Sequence, residues 1–180
     1  MNLFVGCSSS ENISKSYLEQ AQECLDKVFK MDYDLVFGAS NNGLMGISYR
    51  AAKKYNKEIK AIVPEVYCEN LKQIDCPFEQ VVNKINESTD VLFDNSDILL
   101  FLPGGIGSLN EIFYAIELKR NGKLNKPIII YNLNGFYDKL LSFLENLYNQ
   151  NFIDLRVKEY YEVVETCSEL IEKLKVQLYD

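Results

Sequence analysis

The stretch Pro103-Gly104-Gly105-Ile106-Gly107-Ser108-Leu109-Asn110-Glu111 puts a glycine-rich turn directly ahead of a carboxylate. It follows Ile98–Leu102, the most apolar run in the chain, and leads into residues with helical spacing. Glycines let a backbone come close to a ligand and adopt positive φ. Free N–H groups at a helix start, reinforced by the helix dipole, favour an anion there. The pattern therefore predicts a site for the phosphate of a nucleotide-like ligand. A second reading stays open for its last residues: Ser108 as N-cap with Glu111 three positions on has the spacing of a capping box.

Two more loops combine glycine with small polar residues, Gly6-Cys7-Ser8-Ser9-Ser10 and Gly38-Ala39-Ser40-Asn41-Asn42-Gly43-Leu44-Met45-Gly46. Each has a purely structural reading as well. Gly43 and Gly46 let a helix pack close to a sheet, Asn41 or Asn42 caps it, and the serines cap the helix after the first loop. Several familiar chemistries are excluded. No G-x-G-x-x-G follows the first apolar run, and no Lys-Ser/Thr follows the glycines of the third loop, so neither the dinucleotide fingerprint nor the Walker loop is present. The chain has no histidine, which closes the Ser-His-Asp and Cys-His schemes.

The elements that must carry these loops alternate along the chain. Short apolar runs at Leu3–Gly6, Leu35–Phe37, Ile59–Val63, Ile98–Leu102, Pro127–Tyr131 and, more weakly, Tyr160–Val164 read as strands buried on both faces. Between them lie amphipathic stretches: Tyr17, Ala21, Cys24, Leu25 and Val28 share one helical face, as do Phe136, Leu140, Leu141, Leu144 and Leu147. The alternation predicts one α/β domain over residues 1–180, a parallel sheet with helices on both faces. Glu65–Pro77 reads as an irregular insertion. In such sheets ligands sit outside the carboxyl ends of the strands, where all three loops fall.

With 180 residues, 47% hydrophobic and 25% charged, the chain has the balance of a soluble globule. A net charge of −7 without a basic stripe argues against a nucleic-acid polymer as partner. Met1–Gly6 lacks the features of a signal peptide, and no apolar run approaches the ~20 residues that span a bilayer, so a cytoplasmic protein without membrane contact is expected. The 5 cysteines are scattered without C-x-x-C spacing and read as reduced thiols; no metal site is expected.

Taken together, the three loops resemble the Lonely Guy family of nucleoside 5'-monophosphate phosphoribohydrolases, whose members were often labelled possible lysine decarboxylases. The family pattern is a first strand ending near G-S-S, then G-G-G-x-x-G-L-M-G, then P-G-G-x-G-T-x-x-E. The likeness covers roughly residues 2–155, including Lys126–Asn132 and Gly135-Phe136-Tyr137. It implies a Rossmann-like fold, a homodimer, no cofactor, and hydrolysis of an AMP-like nucleotide to base and ribose 5-phosphate. It implies that Gly104, Gly105, Ile106, Gly107 and Ser108 hold the 5'-phosphate and that Glu111 is catalytic. Ser8, Ser9, Gly43, Met45, Gly46, Asn86 and Asn110 fall at positions that would contact substrate. Three departures stand out: Ser88 occupies the place of the family Arg, Ser108 that of Thr, and Asn110 that of Glu. Loss of the cation at Ser88 leaves a second expectation, a nucleotide-binding module without catalysis. The decarboxylase label is unsupported, since no Schiff-base Lys with a ring-nitrogen partner can be picked out.

Overall fold

The structure is a computed structural model and describes residues 1–179. Seven strands form one sheet: β1 (Asn2–Gly6), β2 (Asp34–Phe37), β3 (Ile59–Pro64), β4 (Phe78–Val82), β5 (Ile98–Phe101), β6 (Ile128–Tyr131) and β7 (Glu162–Val164). Their order is β4-β3-β2-β1-β5-β6-β7, and every neighbouring pair is parallel. Parallel pairing needs a crossover between strands, and helices supply most of them. These are α1 (Lys15–Phe29), α2 (Gly43–Lys54), α3 (Ile85–Asp94), α4 (Ile106–Arg120), α5 (Asp138–Asn149) and α6 (Cys167–Tyr179).

Strand side chains alternate faces, so each central strand feeds two cores. Leu3 and Val5 of β1 pack with Leu35 and Phe37 under α1, α2 and α6. Phe4, between them, points the other way and joins Val36, Leu99 and Phe101 under α3, α4 and α5. There its ring meets Phe93 and Phe101 edge-on, with centroids 5.5 and 5.6 Å apart, a favoured aromatic geometry.

The chain leaves β1 toward β4 on one side and returns to β5 on the other side of β1. That reversal opens a crevice at the carboxyl ends of β1 and β5, the general ligand position of open α/β sheets. The first and third loops flank it. Among the described residues no helix is long and apolar enough to cross a membrane.

The fold differs from the sequence expectation in one strand. Glu65–Pro77 is not simply irregular: a 3-10 segment spans Glu65–Gln73, and β4 follows at Phe78–Val82. Phe78, Glu79 and Val81 are exposed, because β4 is an edge strand held by its ladder to β3 rather than by burial. It therefore has no apolar run to read.

Candidate functional site

The crevice is assembled from main chain. The Ser8 N–H donates to the Pro103 carbonyl at 3.1 Å, and the Met45 N–H donates to the Ser8 carbonyl at 3.1 Å. Gly43 has φ +57°, and a Cβ there would stand 2.5 Å from the Ser10 carbonyl oxygen and 2.8 Å from that of Ser8. Only glycine admits this close approach. A cation is fixed to the second loop that sequence reading missed: Arg50 Nη1 donates to the Asn41 carbonyl and to Asn41 Oδ1, both at 2.8 Å. Helical spacing alone does not signal that contact.

The third loop starts its helix earlier than expected. Gly105 is the N-cap and α4 begins at Ile106, so Ser108 lies inside the first turn. Ser108 is buried and packs against Gly104, where any Cβ would collide with its side chain. The capping-box reading is therefore replaced: Ser108 makes no cap bond, and Glu111 is a turn further along the helix. By contrast, a Cβ on Gly105 or Gly107 would meet nothing within 4 Å. This side of the turn is open to a ligand. Ile106, at the tip, is 84% exposed.

Glu111 is partly buried, and its carboxylate has no hydrogen-bond partner among the described residues. Burial pushes its pKa from the ordinary carboxylate range up to about 7. Cys7, fully enclosed at the end of β1, feels the same carboxylate: burial first and then Glu111 push its thiol upward. At neutral pH Glu111 is thus divided between charged and neutral forms, a state suited to proton transfer.

The remaining expected residues are divided between the two loops and helices α3 and α4. Ser8, Ser9, Gly43, Met45 and Gly46 belong to the two loops stitched beside the turn; Asn110 is exposed on α4. Asn86 is exposed in the first turn of α3, whereas Ser88 is buried. Its hydroxyl donates to the Ile85 carbonyl at 2.7 Å and so turns back onto its own helix. Residue 88 therefore brings no cation to α3. Helices α3 and α4 are bridged instead by the Tyr114 hydroxyl, which donates to Asp90 Oδ1 at 2.6 Å. Among the described residues no group of three His, Cys, Asp or Glu is placed to hold a metal ion.

A cavity of about 340 Å³ opens on the α1 side of the turn, between Ser8, Gly104 and Gly105 and the apolar residues Ile13, Tyr17 and Phe136. Glu111 does not line it. Residues 45–174 match the family model described as possible lysine decarboxylase. The chain belongs to that family, the Lonely Guy family. Its sequence is 28% identical over 177 residues to the Arabidopsis thaliana cytokinin riboside 5'-monophosphate phosphoribohydrolase LOG3, covering 95% of this chain and 80% of that protein. It is likewise 28% identical over 177 residues to the Oryza sativa subsp. japonica protein named Probable cytokinin riboside 5'-monophosphate phosphoribohydrolase LOGL6, covering 95% and 69%. Solved structures share the fold. A molybdenum cofactor binding protein from Rippkaea orientalis superposes with a TM-score of 0.71 at 18% identity, covering 98% of this chain and 96% of that one. The molybdenum cofactor carrier protein of Chlamydomonas reinhardtii gives 0.70 at 15% identity, covering 99% and 98%.

The raised pKa of Glu111 has a consequence for stability. Below about pH 4.5 the carboxyl is neutral in both folded and unfolded chains. As pH rises from there to about 7, the unfolded chain ionises first and the folded state loses stability; above 7 the loss is complete. Glu111→Gln removes this penalty. Its melting temperature is expected to equal that of wild type near pH 4 and to exceed it at pH 8, by the equivalent of about 1–3 kcal/mol. Thermal melts across that range test it, and a variant that is less stable at pH 8 contradicts the burial of an unpaired carboxylate.

Proposed function

We propose that the protein is a nucleoside 5'-monophosphate phosphoribohydrolase that acts on an AMP-like nucleotide. The observation that carries this reading is the unpaired carboxylate of Glu111, one turn beyond a glycine turn whose outer side is open. The main chain of Gly104–Ser108 holds the 5'-phosphate, with the α4 N-terminus supplying the local field that a chain of net charge −7 otherwise lacks. The C1'–N bond then breaks with its electron pair leaving on the base. The ribose passes through a cation-like state, which the Glu111 carboxylate stabilises while it draws a proton from the attacking water. That proton ends on the base, and the water oxygen ends on C1' of ribose 5-phosphate. The names of the plant relatives support this reaction class. Loop residues Ser8, Ser9, Gly43, Met45 and Gly46, with Asn86 and Asn110, border the remainder of the nucleotide.

Ser88 favours a second reading, a nucleotide-binding module without catalysis, because its inward hydroxyl leaves the base and phosphate without the family cation. Incubation with a panel of nucleoside monophosphates separates the two. The hydrolase releases free base and ribose 5-phosphate, resolved by chromatography. Glu111→Gln lowers turnover by about 10²–10⁴ while KM stays within a few-fold. Ser88→Arg raises turnover, with melting measured alongside because Ser88 is buried. If wild type and Ser88→Arg both leave every monophosphate intact, the binding module replaces the enzyme.

The protein is also proposed to be a homodimer that works in the cytoplasm. Phe113, Phe143, Phe152 and Leu155, on and after α4 and α5, are all more than two-fifths exposed, a surplus of apolar surface that a second copy would cover. Light scattering at micromolar concentration should give twice 20.8 kDa. A monomer mass rejects the dimer.

A further inference from the structure

The glycine turn is held from beneath by a side chain to which the proposed chemistry gives no task. Tyr137 follows β6 and is buried, 1% exposed. Its hydroxyl donates to the Leu102 carbonyl at 2.7 Å, the last peptide before Pro103. Burial keeps the phenol protonated and so a donor. The hydroxyl therefore anchors the chain immediately before Pro103.

Tyr137 is itself fixed. Its N–H donates to Asn132 Oδ1 at 2.7 Å, and Asn132 Nδ2 donates to Asp138 Oδ1 at 2.8 Å. The Asn132 N–H donates to the Val164 carbonyl at 2.8 Å. A relay of hydrogen bonds thus runs from β7 through Asn132 and Tyr137 to the start of the turn. The opposite flank is held by the Ser8 N–H on the Pro103 carbonyl. We infer that Tyr137 is a positioning residue, whose hydroxyl sets the turn so that the amides of Gly105–Ser108 converge on a phosphate. The inference rests on the phosphate site proposed above. Bonds from amides to an anion depend steeply on geometry, so a turn that relaxes by a fraction of an ångström loses much of its grip.

The test compares Tyr137→Phe with a matched control, Tyr33→Phe. Tyr33 is equally buried, and its hydroxyl donates to the Leu174 carbonyl at 2.6 Å. It precedes β2 and so sits at the amino end of the sheet, away from the crevice. Each variant loses one buried phenol–carbonyl bond. Titration calorimetry of the whole protein with ribose 5-phosphate and, separately, with adenosine is the readout. Tyr137→Phe should weaken ribose 5-phosphate by about tenfold and leave adenosine within twofold. Tyr33→Phe should lower only the melting temperature. Equal losses for both ligands in Tyr137→Phe, or the same ribose 5-phosphate loss in Tyr33→Phe, reduce Tyr137 to a structural role and overturn the inference. So does unchanged ribose 5-phosphate affinity in Tyr137→Phe while wild type binds it. Failure of wild type itself to bind ribose 5-phosphate removes the phosphate site and this inference with it.

Discussion

Two main-chain hydrogen bonds on one residue hold the crevice together: Ser8 donates to Pro103 and accepts from Met45. Through them the ends of β5, β1 and the start of α2 become one surface, although they are far apart in sequence. The sheet order makes this possible, because β1 lies between β2 and β5 and brings the three loops side by side. Gly43 makes it tight, since no side chain fits against the Ser8 and Ser10 carbonyls. Backbone bonded in this way is set before a ligand arrives, and preorganised amides are what an anion site needs.

Against this rigid frame Glu111 is the costly element. Partial burial raises its pKa with no charged partner to offset the shift, although no side-chain oxygen among the described residues is both fully buried and unpaired. Isolated, destabilised carboxylates of this kind occur where chemistry uses them. Ser88 sharpens the question. Its hydroxyl bonds its own helix, and the shift at Glu111 comes from burial with no charged group opposing it.

Much of the fold was legible in the sequence because the central strands are buried on both faces. β1, β5 and β6 each show up as an apolar run, which sets their following loops at the carboxyl end of the sheet. β4 was not legible, since its stability comes from backbone pairing with β3 and its side chains are largely exposed. The site loops were recognisable from glycine spacing, but the role of Ser108 and Glu111 in a capping box was not correct. Spacing fixes their separation and not where the helix begins, and a cap at Gly105 moves both residues inside it. Tyr137 was visible only as part of a familiar stretch. Its contact with Leu102 spans 35 positions, and no local pattern encodes such a bond.

The central claim is that the stitched turn, rather than another helix end, receives the phosphate. Amide chemical shifts of the isotopically labelled protein during titration with ribose 5-phosphate test it directly. The largest changes should fall on the amides of Gly105, Ile106, Gly107 and Ser108, with Ser8 following through its bond to Pro103. Saturable changes centred on the first turn of α1 or α6, with the turn before α4 unmoved, would contradict it.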